Sequence, residues 1–299
     1  MTSRLQIVLE QPTLFDGSAL LVFFGRHAVP GIETYSDHVG EDGSRRLHYA
    51  RTLRLPHGPA VVELTWANGT LSAAAQVTDG RDLAAVGQRV EHLCDLTRDL
   101  DPVERHLSRD PELSALVRAS PGLRVPGSAD AHEQLFRTMI GQQISLAGAA
   151  NCAAKLVARF GEPLPSSVRN AVEASTSGKL TSLFPTAAAL AAASPDTLPM
   201  PKARGRALVA MAASLASKEV LLDVDSDPVE TRAQLLARPG VGPWTADYVL
   251  MRALHDPDIL LASDLVIRRE LLRLNITNTA DWSPWRSYAT MHLWRVWTG

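Results

Sequence analysis

Strand-like alternation of apolar and polar residues marks parts of the first hundred positions; beyond about residue 101 the apolar spacing is helical. Leu5–Leu9 and Leu47–Leu55 read as strands. Pro59–Trp66 and Leu71–Val77 flank Asn68-Gly69, a dipeptide suited to the two-residue turn of a β-hairpin. Asp79-Gly80 ends that hairpin, and Asp82–Leu96 reads as an amphipathic helix. Helices are then expected over Pro102–Leu107, Pro111–Ala119, Pro185–Ala193, Lys202–Ala216, Pro228–Ala237, Pro243–Leu254, Leu265–Leu274 and Trp285–Trp297. Ala129–Phe160 is too long for one helix and should break at Gly141 or Gly148. Pro, Gly and Ser cluster at Ser120–Asp130 and Gly161–Ser167, which read as joints.

This pattern predicts an α+β domain with a small antiparallel sheet over residues 1–100. An all-α region over 101–299 follows. The length of 299 residues suits two or three such units. Apolar residues make up 45% and charged residues 21%, ordinary soluble usage that excludes disorder and fibres. The densest apolar run, Ala19–Phe24, is far shorter than the ~20 residues of a membrane span. No secretory signal opens the chain, and two cysteines, Cys94 and Cys152, cannot build a disulfide framework or a four-Cys metal site. A reducing, cytoplasmic setting is expected, with no membrane contact.

The net charge of −2 excludes binding to nucleic acid through bulk basicity, but local charge matters more than the total. Residues 231–299 carry 8 basic and 6 acidic groups, the one net-positive third. That third holds the most informative segment, Leu235–Asp264. Within it Pro239-Gly240-Val241-Gly242 joins two helices, in a unit spanning about 228–254. The two glycines permit a sharp turn and close approach to a ligand. Val241 can tuck between the helices, and the open amides starting the second helix suit a phosphate. A plain helical corner with an ordinary Pro-Gly turn would read the same way.

Twenty residues after Trp244 stands Asp264, in Ala262-Ser263-Asp264-Leu265. On residues alone, Asp264 is an N-cap. The combination PGVGxWTAxY with that distant Asp resembles the helix-hairpin-helix DNA glycosylases, specifically the DNA-3-methyladenine glycosylase II (AlkA-type) family. Phe23–Asp37, Pro121–Pro126, Arg137–Ser145, Phe184–Ala192 and Pro284–Trp294 resemble family blocks in order, so the likeness runs from about residue 14 to 297.

The resemblance implies a helical core over 101–299 in two subdomains with a cleft between them, and a monomeric enzyme of base excision repair that flips N-alkylated purines out of duplex DNA and hydrolyses their glycosidic bonds. Asp264 would be the catalytic carboxylate. Trp244, Tyr248, Trp294 and Phe23 would line the base pocket, where electron-rich faces attract a cationic base. Leu265, standing where a relative has an aromatic, would widen that pocket. Pro239, Gly240, Val241 and Gly242 would hold the DNA backbone, and Gln143 would fill the vacated stack where other members use Leu. Members that also cut the backbone place a Lys at the Trp244 position, so lyase activity is not expected. The reaction needs no cofactor; a monovalent cation held by the carbonyls of Arg238–Val241 is implied. The alternatives are a glycosylase for deaminated or etheno-adduct bases, a lesion-binding module without turnover, and a helical scaffold.

Overall fold

A computed structural model describes residues 5–172 and 179–298. Its amino-terminal part is a five-stranded antiparallel sheet, and the rest of the chain is mainly helical. The strands are β1 (Leu5–Ile7), β2 (Glu33–Val39), β3 (Arg45–Leu55), β4 (Gly58–Ala67) and β5 (Thr70–Val77), in spatial order β1-β5-β4-β3-β2. Asn68 and Gly69, with φ of 52° and 76°, join β4 to β5 as the dipeptide requires.

Alternation sorts the sheet's two faces. Leu47, Tyr49 and Leu53 of β3 and Val62 and Leu64 of β4 meet Leu20, Leu21 and Phe24 of α1 (Gly17–Arg26) and Val86 and Val90 of α2 (Leu83–Cys94). Ala50 and Val61, at positions of the opposite parity, pack instead with Leu164, Val168 and Leu183.

The helical part comprises α3 (Asp101–Leu107), α4 (Pro111–Ala119), α5 (Ala131–Gly141), α6 (Leu146–Phe160), α7 (Ser166–Val172), α8 (Ala187–Ala191), α9 (Lys202–Ala216), α10 (Pro228–Leu236), α11 (Pro243–Ala253), α12 (Leu265–Arg273) and α13 (Arg286–Thr298). The long Ala129–Phe160 pattern breaks after Gly141, and Ser145 caps the next helix by accepting from Gly148 N. One apolar core unites α5, α6 and α8 to α11; a second unites α3, α4, α12 and α13. Helix α11 serves both: Ala246, Val249 and Leu250 face the first core and Met251 the second. Burying an aliphatic side chain of Leu or Val size contributes ~1.5–3 kcal/mol, so α11 is firmly seated from two sides.

Three elements lay outside the sequence expectation: α1, β2 and α7. Helix α1 is apolar on two sides because it touches the sheet through Leu21 and Phe24 and the second helical core through Ala19 and Phe23, which leaves no clear polar stripe. The joint expected at Ser120–Asp130 is no exposed hinge. Residues 122–129 are all buried, running as a strap through the middle of the molecule. Gly127 explains the composition: a Cβ there would stand 2.1 Å from His92 O.

Candidate active site

Helix α11 begins at Pro243, behind Gly242, which has no side chain to cap the first amides. Those amides are left for solvent or a ligand. Gly240 turns the chain at φ 81°, and a Cβ there would meet Ala207 Cβ at 2.8 Å. Pro239, Gly240 and Gly242 are exposed, whereas Val241 is buried in the first helical core. Gln142 locks this hairpin to the α5–α6 turn: its Nε2 donates to Gly240 O and to Thr245 Oγ1, both at 2.9 Å. Gln143 stands exposed at the tip of that turn with φ 59°, beside exposed Ile144 and Leu146. The two turns thus share one face of the protein.

Behind them lies a cavity of about 420 Å³, within the size range of small-molecule sites. One wall is aromatic. Trp244 and Tyr248, one turn apart on α11, stack at 5.2 Å between centroids, and Trp294 of α13 meets Tyr248 edge-on at 5.9 Å. Asp264 is tied to two of these rings. Its Oδ2 accepts from Trp244 Nε1 at 3.1 Å and its Oδ1 from Trp294 Nε1 at 3.3 Å. Oδ1 also accepts from Val266 N and Ile267 N, so Asp264 is the N-cap of α12 as well. The carboxylate is not among the residues that wall the cavity; it is held against the two indoles that are.

Leu265 does not reach that wall. As the first residue of α12 it points outward and is 78% exposed, while Val266 takes the lining position. Phe23 does line the cavity, but its faces are engaged. His27 stacks on the ring at 4.2 Å, and the Arg252 guanidinium lies over it at 4.7 Å. Arg252 also lies over Tyr248 at 5.4 Å. Part of the π-surface expected to attract a cationic base therefore already holds a resident cation.

The floor is ionic. Glu33 of β2, Arg51 of β3, and Glu133 and Arg137 of α5 form one buried network. Arg137 bridges Glu33 at 3.0 Å and Glu133 at 2.8 Å, Arg51 reaches Glu133 at 2.8 Å, and Tyr49 donates its hydroxyl to Glu33 at 2.5 Å. Burial works to raise the Glu33 pKa, but Arg137, Arg51 and the Tyr49 hydroxyl outweigh it and hold the carboxyl below its ordinary value. None of these four charges, nor Arg252, was singled out from the sequence. Arg252 did leave a signal, since it completes a four-residue step with Trp244 and Tyr248 along one face of α11.

Comparison with known proteins gives the family of the chain. Residues 6–130 match the family described as the AlkA N-terminal domain. The chain is 30% identical over 293 residues to DNA-3-methyladenine glycosylase 2 of Escherichia coli strain K12, across 94% of this chain and 93% of that one. It is 38% identical to a probable bifunctional transcriptional activator/DNA repair enzyme AlkA of Mycobacterium tuberculosis, across 98% of this chain but 57% of that relative, so it spans little more than half of the latter's length. Among solved structures, a 3-methyladenine DNA-glycosylase from Archaeoglobus fulgidus superposes with a TM-score of 0.73 at 21% identity, covering 97% and 96% of the two chains. An 8-oxoguanine glycosylase/lyase from Clostridium acetobutylicum, bound to double-stranded DNA, superposes at 0.68 with 17% identity over 97% of each. These two share the fold.

Proposed function

The chain belongs to the DNA-3-methyladenine glycosylase II (AlkA-type) family, and from that premise we propose that it extrudes N-alkylated purines from duplex DNA and hydrolyses their glycosidic bonds, leaving the backbone intact. The observation that carries this reading is Asp264, whose carboxylate is fixed by four N–H donors beside Trp244 and Trp294. Cleavage of the bond leaves positive charge on the sugar. A carboxylate held in place stabilises that charge and orients or deprotonates the attacking water. An alkylated purine such as 3-methyladenine or 7-methylguanine departs as a neutral base, so one carboxylate suffices.

Backbone cutting through a Schiff base needs an amine. Trp244 has none, and no lysine is among the described residues that line the cavity. The exposed hairpin and the open first turn of α11 suit a DNA phosphate. A monovalent cation at Arg238–Val241 is compatible with the residues present. Arg238 O accepts from Val241 N and Gly240 O from Gln142, and each keeps a lone pair for an ion that would hold the turn against a phosphate. A second reading, excision of neutral deaminated or etheno-adduct bases, is favoured by Arg252, whose charge over Tyr248 and Phe23 opposes a cationic base.

Single-turnover base release from methylated duplex DNA tests the proposal. Asp264→Asn should slow release at least ~100-fold, about 2.7 kcal/mol, with DNA binding retained. Loss of a cap alone costs about 0.5–2 kcal/mol of stability and leaves the chemistry running. Wild-type protein that binds such DNA and releases no base would make it a lesion-binding module instead.

A further inference from the structure

Two cavity residues, Arg252 and His27, take no part in the hydrolysis itself. Arg252 is buried, and of its five N–H groups three are engaged: Nε with Pro126 O, Nη2 with Gly127 O at 3.0 Å and Nη1 with the Tyr248 hydroxyl at 2.6 Å. No carboxylate pairs with it among the described residues. Two N–H groups remain uncommitted, and Arg252 is among the residues that line the cavity. His27 lines the same cavity, and its Nδ1 hydrogen-bonds Phe23 O at 2.8 Å. The carbonyl can only accept, so Nδ1 carries the proton and Nε2 of the neutral ring is a lone pair. Nε2 has no partner among the described residues and is not sealed off by protein. Burial pushes the His27 pKa down to about 4, with Arg252 and Arg137 adding to the effect, so the lone pair persists at neutral pH. Both residues pack on the Phe23 ring, His27 at 4.2 Å and the Arg252 guanidinium at 4.7 Å from its centroid.

We infer that His27 and Arg252 form an acceptor–donor pair that reads the edge of the extruded base. This rests on the glycosylase reading and assigns it a specificity. An adenine-type edge presents the N7 acceptor beside the 6-amino donor and matches the pair. A 6-oxo purine presents two acceptors there, and its oxygen would face the His27 lone pair. The pair therefore ranks 6-amino purines above 6-oxo purines, 3-methyladenine above 7-methylguanine among the alkylated bases, and it does so by hydrogen bonding rather than by the charge of the base. The aromatic wall tolerates either class. Arg252 is the positioning anchor, tied through its carbonyl contacts to the 122–129 strap, and His27 makes the discrimination.

Free adenine and free hypoxanthine test this directly, because both are neutral and nearly the same shape. Their binding to the intact protein, measured by calorimetry, should differ about tenfold in favour of adenine, one hydrogen bond's worth. His27→Phe keeps the stack on Phe23, lacks the acceptor and should bring the two bases level by weakening adenine alone. His27→Gln, which retains an acceptor oxygen, should restore part of the preference. Equal binding of the two bases by wild type, or an equal loss for both in His27→Phe, overturns the inference. The wild-type comparison needs no variant and so stands even where His27→Phe fails to fold. Base release from duplexes carrying 3-methyladenine or hypoxanthine, run in parallel, keeps the two questions apart. Release of neither base sinks the glycosylase reading, while release of both at equal rates sinks only the edge reading.

Discussion

The aromatic wall and the ionic floor of the cavity are built in opposite ways. The wall draws Trp244 and Tyr248 from one turn of a single helix, with Asp264 and Trp294 brought in through two indole hydrogen bonds. The floor draws Glu33 and Arg51 from paired strands and Glu133 and Arg137 from a helix some eighty residues further on. A stacked aromatic wall loses contact area when one ring is trimmed but strands no charge. The floor has no such tolerance, because removing one member leaves another charge buried without its partner. The wall is thus the part suited to handling substrate, and the floor is the part that clamps the sheet to α5.

The sharpest way to break this contrast is Arg137→Met. It leaves Glu33 and Glu133 short of a counter-charge and should cost ~3–5 kcal/mol of stability, read as a lower urea midpoint. A cost under ~1 kcal/mol would mean that the network is well hydrated and clamps nothing. Acid titration is the next lever. Burial pushes His27, His92 and His292 each down to about 4. Unfolded, each titrates near 6.5. The neutral rings are then fully tolerated above about pH 6.5. Stability should fall as pH drops from there towards 4, by about 1.4 kcal/mol per pH unit for each proton bound only by the unfolded chain. A urea midpoint flat between pH 6.5 and 5 would show that these rings are solvated.

The smallest expected effect lies on the wall. Trp244→Phe keeps a ring against Tyr248 but removes the donor to Asp264 Oδ2, and base release should slow by about tenfold. DNA affinity and the urea midpoint should barely move. A rate unchanged within a factor of two would show that the cap amides alone orient the carboxylate.

How much of this was legible follows the same division. The hairpin could be read because Gly240, at φ 81°, turns where few other residues can, whereas Gly242 is extended with open space at its Cβ. Trp244 and Tyr248 stand at helical spacing after it, and Asp264 joined them only through the family resemblance. Most helices from residue 101 onwards could be read for the same reason, having one apolar stripe each. Helix α1 could not, since it is buried on two sides and its apolar positions look like a run rather than a stripe. The floor could not either. Its four members are ordinary charged residues until β2–β3 pairing sets Glu33 opposite Arg51 and brings both to α5. Gln142, which holds the two turns together, was passed over in favour of its neighbour, because a bond to Gly240 O is invisible without the tertiary approach. Leu265 and Val266 exchange roles for a related reason: the phase of a helix's first residue depends on its cap, and a shift of one position turns a side chain by 100°.

The buried strap has a consequence for how the protein can be taken apart. Composition suggests that the sheet domain could be severed from the helices at Ser120–Asp130, yet Pro126 and Gly127 supply the carbonyls that hold Arg252 of α11. Arg124, also buried, holds Leu14 O and Asp95 O from the amino-terminal side. Cleaving there would open the two sets of bonds together. Grafting this sheet onto another helical core, or lending this core a foreign sheet, therefore requires residues 5–130 and α11 to travel as one cassette.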